Sequence, residues 1–418
     1  MSINAGCGRY TRQLLRKRLF APIISEHEPT SNLRNQIFHV RSAPAGRGYR
    51  SLPGFVQSST QDPGYRLRLY ECKRPRMAPT AKPDLEKQYM STKPPPKKQH
   101  VEPRPSSSIL LISPSNEILL LSRVKTSSSF ASAHVFPGGN LSASQDGDIP
   151  PPDHAARHID GPAYRLGAIR ECFEESGLLL AKKKGDESGV LLEVGEAERE
   201  RARKEIHGGK LKFVDWVEEL GGVVDSDSLL PFTRWITPPN LPKRFTTQMY
   251  IYFLPLTQPS VSSTSSIPIP THDGGIEHTT ASFAPFTKWL TLANTNEIIL
   301  FPPQYYLMTL LAPLLTPSSS HSELQAQRHS VLKFLEGDGD GKGVRWADKV
   351  MSPTGLFMRK SDGRSVLALD KPGPELAGSG RRGDEERVVL VKFSKEGPRN
   401  VEVRLRRDVL SEERGAKI

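Results

Sequence analysis

Three glutamates stand close together in the stretch 168–178, at Glu171, Glu174 and Glu175. On an α-helix these positions are i, i+3 and i+4, so the three carboxylates share one face. Like charges at this spacing weaken an isolated helix, unless a cation lies in front of them. Oxygen ligands on a rigid element suit Mg²⁺ or Mn²⁺. The spacing therefore predicts a divalent-metal site, and the competing interpretation is an ordinary solvated helix face.

The segment that carries these glutamates is predicted to be a helix over about residues 163–176. Leu166, Ile169 and Phe173 fall on a different face and can dock the helix on a core. Gly177 fits the position just after a helix, where glycine tolerates a left-handed backbone. The apolar run Leu178–Leu180 is predicted to be the strand that follows.

The flanking residues resemble the Nudix hydrolase family. The run Arg170–Leu178 matches the second half of the Nudix box, and Phe136-Pro137-Gly138-Gly139 matches the glycine turn that opens it. The resemblance implies that Glu171, Glu174 and Glu175 bind the metal. Arg170 is expected to hold the glutamates through charge-assisted hydrogen bonds. Gly138 and Gly139 are expected to let the backbone turn tightly beside the metal and substrate.

The base that activates water varies across this family, and two candidates stand in this chain. One is Glu171 itself. The other is Glu277, in the loop 273–277 that precedes the segment around Trp289. The competing interpretation of Glu277 is an ordinary loop carboxylate, and the sequence leaves both open.

A longer series of motifs resembles the acyl-coenzyme A diphosphatase branch of the family, the Nudix type 19 group. The series occurs in one order over residues 105–313 and comprises segments 119–123, 133–139, 168–171, 235–238, 244–247 and 297–306. This resemblance implies hydrolysis of coenzyme A (CoA) or acyl-CoA to 3′,5′-adenosine bisphosphate and (acyl-)phosphopantetheine. Arg123 and Arg244 are candidates to meet substrate phosphates; the alternative is that both are surface arginines at strand ends.

The chain departs from the box at one fixed position. The expected glutamate is replaced by Ser144 when counted six residues from Gly138, and by Gln145 when counted from Gly139. An inserted loop, 140–162, also splits the box. Because that glutamate is usually structural, we expect the departure to affect the rate more than the existence of activity.

The predicted fold is α+β, a Nudix α/β/α sandwich with a mixed β-sheet. Residues 105–316 form the Nudix domain, with a helical insertion at 195–222 whose charged, helix-forming residues precede an apolar helical pattern. Residues 1–100 are predicted to be a disordered basic leader. Residues 317–418 are predicted to form a β-rich C-terminal extension, in which the alternation of apolar and polar residues predicts a hairpin over 388–405.

Composition narrows the class of protein. A mean hydropathy of −0.46 with 36 prolines indicates substantial loop-rich or disordered sequence in a chain of 418 residues. The net charge of +12 suggests a protein that binds nucleic acid. The excess of basic residues lies towards the termini, however, so we do not expect nucleic-acid binding, except to capped RNA as an alternative substrate. Cys7, Cys72 and Cys172 lack metal-ligand spacing, which is typical of a reducing compartment. No apolar run reaches the length of a membrane span.

The first residues of the chain suggest a subcellular location for the protein. Arginines and lysines interleaved with leucines precede the first acidic residue, Glu26, a pattern typical of a mitochondrial presequence. A disordered basic leader and a translation start at Met77 are the alternatives. The final residues 415–418 do not form a peroxisomal Ser-Lys-Leu-type signal. A mitochondrial location is therefore the first expectation and a cytoplasmic one the second.

Three functions remain in competition at this point. The first is a Mg²⁺- or Mn²⁺-dependent diphosphatase of CoA or acyl-CoA. The second is a Nudix enzyme for another nucleoside diphosphate derivative, such as ADP-ribose, NADH or an mRNA cap. The third is a Nudix-fold binding protein that has lost turnover, against which the three retained glutamates argue.

Overall fold

The computed structural model describes residues 85–90, 101–124, 132–186, 188–256, 270–271, 278–337 and 343–415. The candidate base Glu277 and the predicted presequence lie outside these residues. The described strands are β1 Arg104–Ile112, β2 Ile118–Arg123, β3 His134–Val135, β4 Gly138–Asn140, β5 Ala181–Lys183, β6 Gly222–Val224, β7 Leu230–Ile236, β8 Phe245–Phe253, β9 His278–Ala284, β10 Val350–Met351, β11 Thr354–Met358, β12 Ser365–Leu369, β13 Asp384–Ser394 and β14 Gly397–Leu405. The described helices are α1 Leu85–Met90, α2 Pro162–Ser176, α3 Glu196–His207, α4 Phe213–Glu219, α5 Phe286–Asn294, α6 Pro302–Leu311, α7 His321–Glu336 and α8 Arg406–Gly415.

The central sheet is mixed, as predicted. Six of its eight strands run in the order β10-β7-β8-β1-β2-β3, while β4 pairs with β1 and β9 pairs with β2. Strand β1 lies parallel to β8 along its whole length and antiparallel to β2 and β4. Because β4 carries Gly138 and Gly139, its pairing with β1 fixes the glycine turn against the middle of the sheet.

Helices cover both faces of this sheet, which confirms the α+β sandwich. Ile109 and Leu111 of β1 face a core built with α2, α3 and α4. Leu110 and Ile112 face the opposite core, built with α5, α6 and α7. The alternation of neighbouring residues between two cores is the two-residue period of a strand that is buried on both faces.

Helix α2 has the ends that its sequence predicts. Pro162 occupies the first turn, where its missing N–H is harmless, and Gly177 ends the helix with φ 72°. The predicted strand at Leu178–Leu180 is wrong, because these buried residues have no ladder partner and the strand begins at Ala181. The apolar run reflects burial in the core of α2 to α4 rather than strand pairing.

The helical insertion consists of α3 and α4, which pack on α2. Phe213 and Trp216 of α4 surround Phe173, with ring centroids 5.7 and 4.9 Å from it. Both α4 rings are almost fully buried. The insertion therefore packs against α2, the helix that carries the three glutamates, on the side of Phe173.

The C-terminal segment shares a hydrophobic core with the central sheet. Strands β11 to β14 form an antiparallel sheet, in which β13 and β14 make the hairpin around Ser394 and Gly397. Val389 and Val391 of β13 share the core of α5 and α6, and β10 extends the central sheet alongside β7. Residues 77–418 accordingly cluster as one compact unit.

One short part of the predicted disordered leader is ordered. Helix α1 places Tyr89 on Phe393, with ring centroids 4.9 Å apart and rings within 9° of parallel. Gly355 packs so closely on Met90 that a Cβ there would lie 2.6 Å from the sulfur. The leader prediction therefore fails at residues 85–90, where two apolar side chains find partners on the C-terminal sheet.

Across the described ranges, no helix combines the length and the apolar character that crossing a membrane requires.

Candidate active site

Arg170 is the centre of the carboxylate cluster on α2. Its Nη1 donates to Glu171 Oε1 at 2.9 Å and to Glu174 Oε1 at 2.7 Å. Its Nε and Nη2 donate to the two oxygens of Asp146 at 2.8 and 2.9 Å. One buried guanidinium thus contacts three carboxylates, which is the holding role that the sequence predicts for Arg170.

The charges of the cluster change the acidity of its members. Burial alone would lower the pKa of Arg170, but the hydrogen bond to Asp146 and the charges of Asp146, Glu171 and Glu174 outweigh it and raise that pKa. Burial raises the pKa of Glu171 above its ordinary value; the Arg170 charge opposes this, and the Glu174 and Asp146 charges add to it.

The third glutamate is tied to the glycine turn. Glu175 Oε2 accepts a hydrogen bond from the backbone N–H of Gly138 at 2.8 Å, and its Oε1 lies 3.6 Å from His278 Nε2. A Cβ on Gly138 would lie 2.3 Å from the Ser107 carbonyl oxygen, and the residue has φ 152°, so only glycine fits between β1 and α2.

Gly139 leaves the space in which Glu171 lies. A Cβ built on Gly139 would lie 2.4 Å from Glu171 Oε2 and 2.7 Å from Oε1. The two box glycines therefore bring β4 against the carboxylates of α2, as the sequence predicts for a turn beside the site.

Glu174 is held from a second direction by the helical insertion. His207, at the end of α3, places its Nδ1 3.1 Å from Glu174 Oε2. Arg170 holds the other oxygen, so both oxygens of this carboxylate have a named partner. Sequence reasoning missed His207 because nothing in the spacing between residues 174 and 207 indicates that the two meet.

Asp146 takes the place of the glutamate that the box lacks. Gln145, at the expected spacing, instead accepts from the Phe213 N–H and donates to the Leu211 carbonyl, both at 2.9 Å. Asp146, one residue later, binds Arg170 through both oxygens with its side chain fully buried. The signal in the sequence is a carboxylate one residue beyond the expected position, which a motif of fixed spacing does not include.

The two candidate phosphate-binding arginines have different surroundings. Arg123 is half-buried at the end of β2, and its backbone pairs with His278 of β9, the residue beside Glu175. Arg244 is buried, with Nε and Nη1 donating to the Thr237 and Val101 carbonyls at 2.9 and 2.8 Å. Its Nη2 lies 2.5 Å from Glu375 of the C-terminal segment.

These contacts correct the expectation for Arg244. The sequence interpretations were a phosphate contact and a surface arginine. Instead, the guanidinium is enclosed and joins the loop before β8 to the C-terminal segment. Its donors are directed to protein oxygens, so its role in this structure is to hold the fold together.

The donor set around Arg170 fits a hard divalent cation. It offers only carboxylate oxygens, and Arg170 supplies one positive charge to three of them. The absent side chain of Gly139 lets the Glu171 carboxylate lie directly against the backbone of β4. Within the described residues, no three acidic, histidine or cysteine side chains are already gathered around one point.

Comparison with known proteins agrees with this geometry. Residues 153–311 match the family model described as the NUDT19 Nudix domain. A Caenorhabditis elegans protein provisionally named nudix hydrolase 7 is 26% identical over 207 residues, which are 50% of this chain. The acyl-coenzyme A diphosphatase NUDT19 of Xenopus laevis is 25% identical over 236 residues, or 47% of this chain. The matches span 59% of the length of each relative.

Among solved structures, a NUDIX hydrolase from Alicyclobacillus acidocaldarius is 21% identical, with a TM-score of 0.40. The alignment covers 53% of this chain and 96% of that one.

Proposed function

Because this chain is a NUDT19-like member of the Nudix family, we propose that it hydrolyses the diphosphate of CoA or acyl-CoA. The products are 3′,5′-adenosine bisphosphate and (acyl-)phosphopantetheine. Water adds to one phosphorus, and the bridging oxygen leaves with the other phosphate. The substrate class is suggested by the relatives named acyl-coenzyme A diphosphatase and by the order of motifs over residues 105–313.

The observation that carries the proposal is the carboxylate cluster beside the glycine turn. Glu171, Glu174 and Glu175 lie on one side of α2, and each contacts Arg170, His207 or the Gly138 amide. The contacts of Glu175 with the Gly138 amide and of Glu174 with His207 reach other segments, which is not typical of a solvated helix face. Glu174 and Glu175 are less than a tenth exposed, and burying acidic side chains costs free energy, which favours a functional site over a solvated face.

Mg²⁺ or Mn²⁺ bound by these glutamates would neutralise the charge of the substrate diphosphate. The residues of the chain supply the remaining functions. Arg170 orients Glu171 and Glu174 through short charge-assisted bonds. Gly139 gives a close backbone approach beside Glu171. Glu171 Oε2, the oxygen that Arg170 does not hold, is one candidate to take the proton of the attacking water, and Glu277 is the other.

A substrate panel tests the proposal. The purified full chain is incubated with CoA, acyl-CoAs, ADP-ribose, NADH and capped RNA, with and without Mn²⁺, and the products are identified by mass spectrometry. Metal-dependent release of 3′,5′-adenosine bisphosphate from CoA or acyl-CoA is expected. Turnover confined to another member of the panel would select a different Nudix substrate. Silence on every member would favour a binding protein.

A further inference from the structure

The last turn of α2 is completed by side chains from outside the helix. The final carbonyls of any α-helix lack partners within the helix. Gly177 satisfies one of them, because its N–H donates to the Phe173 carbonyl at 2.8 Å. The Glu174 carbonyl accepts from Arg203 of α3, through Nε at 3.1 Å and Nη2 at 2.9 Å. The Ser176 carbonyl accepts from the Thr271 N–H at 2.9 Å.

A single guanidinium connects these partners. Arg203 Nη1 donates to Thr271 Oγ1 at 2.9 Å and to Glu200 Oε1 at 3.0 Å. Its side chain is only 4% exposed. Its positive charge also lies at the C-terminal end of α2, where the helix dipole favours a cation.

The same face of α3 holds both ends of Glu174. Arg203 and His207 are four residues apart and so project from one side of the helix. Arg203 holds the Glu174 carbonyl, and His207 contacts its carboxylate. The backbone and the side chain of one proposed metal ligand are thereby fixed by the insertion.

The junction has no spare space. A Cβ added to Gly177 would lie 2.9 Å from Thr271 Oγ1 and 3.4 Å from Arg203 Nη1. Thr271 also stands six residues before Glu277, the second candidate base, in the sequence.

We propose that Arg203 is a positioning residue, through which the helical insertion sets the geometry of Glu174 and holds Thr271 against the end of α2. This proposal rests on the proposed function, because it gives Glu174 a role in metal binding. The planar guanidinium of Arg203 makes two bonds that converge on the Glu174 carbonyl oxygen and a third to Thr271 Oγ1. A lysine cannot reproduce that pattern with a single ammonium group.

Three variants of the full chain test it: Arg203→Gln, Arg203→Lys and the control Arg201→Gln. Arg201 belongs to the same helix but is 47% exposed and pairs with Glu198 and Glu205. Three measurements are made: Mn²⁺ affinity by titration, amide hydrogen exchange at Thr271 in metal-free protein, and steady-state kinetics.

For Arg203→Gln, we expect Mn²⁺ affinity and kcat to fall by about 10- to 100-fold, the range for residues that orient metal ligands. The KM for the organic substrate should change little, because Arg203 contacts the helix rather than the substrate. Exchange at Thr271 should accelerate about tenfold or more. Arg203→Lys should recover only part of these losses, and Arg201→Gln should match the wild type.

Two results would overturn the proposal: wild-type Mn²⁺ affinity and exchange in Arg203→Gln, or complete rescue by lysine. If Arg203→Gln does not fold, Thr271→Val removes only the Nη1–Oγ1 bond at nearly constant volume. That variant should weaken Mn²⁺ binding severalfold, and unchanged binding would equally refute the idea. If the wild type turns over no substrate in the panel, the proposed function fails. The Mn²⁺ affinity and the amide exchange at Thr271 still test the positioning role of Arg203 in that case.

Discussion

Replacing Asp146 with asparagine tests how the glutamate cluster is held. The aspartate side chain is fully buried, accepts two hydrogen bonds from Arg170, and accepts a third from the Ser142 N–H at 2.8 Å. Asparagine has nearly the same shape but one acceptor oxygen and no charge. At least one hydrogen bond from Arg170 is therefore lost. The side-chain NH₂ group of asparagine can only donate, and it then faces N–H groups that are also donors.

The expected cost follows from these contacts. A hydrogen bond to a charged group contributes roughly 1.5–3 kcal/mol, and removing one member of a buried ion pair costs about 3–5 kcal/mol. Arg170 keeps Glu171 and Glu174, so the lower part of these ranges applies. We expect Asp146→Asn to reduce the free energy of unfolding by about 2–3 kcal/mol.

Urea unfolding measures this change, with the free energy extrapolated linearly to water. Asp148→Asn is the matched control, because Asp148 is exposed in the same loop, and it should stay within about 0.5 kcal/mol of the wild type. The double variant Gln145→Glu with Asp146→Asn restores the family glutamate. It should not rescue stability, because Gln145 is engaged with Leu211 and Phe213. Wild-type stability of Asp146→Asn, or rescue by the double variant, would refute the assignment of Asp146.

Three further changes test other parts of the structure. Glu375→Gln removes the countercharge of the buried Arg244 and should cost about 3 kcal/mol of unfolding free energy; no loss in urea unfolding would mean that the pair does not join the C-terminal segment to the core. Gly139→Ala places a Cβ 2.4 Å from Glu171 Oε2, so a Mn²⁺ titration should show affinity weakened about tenfold or more, and unchanged affinity would exclude Glu171 as a ligand. Burial lowers the pKa of His134 to about 4, below its unfolded value near 6.5. Its neutral form is therefore favoured in the folded state, and stability should be highest above pH 6.5 and fall by up to about 3 kcal/mol between pH 6.5 and pH 4. His134→Gln should make that dependence shallower without abolishing it, because burial also lowers the pKa of His158 to about 4; an equal slope in both proteins would contradict the attribution.

The local features of the site were predictable from the sequence. The helix predicted over 163–176 is found at Pro162–Ser176, because proline and glycine mark its ends and the apolar residues follow its period. The pairing of Gly138 and Gly139 with the glutamates followed from the motif. In both cases the determining residues lie within a few positions of one another.

The contacts between distant segments were not predictable. His207 and Arg203 contact Glu174 although they are about thirty residues away in the sequence. No local sequence pattern predicts that α3 packs on α2. The apolar strands of the C-terminal segment predicted a sheet, but not that it shares a core with α5 and α6. Leu178–Leu180 was assigned to a strand because burial in a loop and burial in a strand produce the same apolar run.

The central claim is that the α2 glutamates support metal-dependent hydrolysis of a diphosphate, and Glu174→Gln tests it most directly. Glutamine can still accept from Arg170 Nη1 and bond to His207 Nδ1, so the fold should be retained. Release of 3′,5′-adenosine bisphosphate from CoA in the presence of Mn²⁺ is compared in the wild type and the variant, with circular dichroism as the folding control. The account predicts release by the wild type and none by a folded Glu174→Gln variant. Equal rates in the two proteins would contradict it.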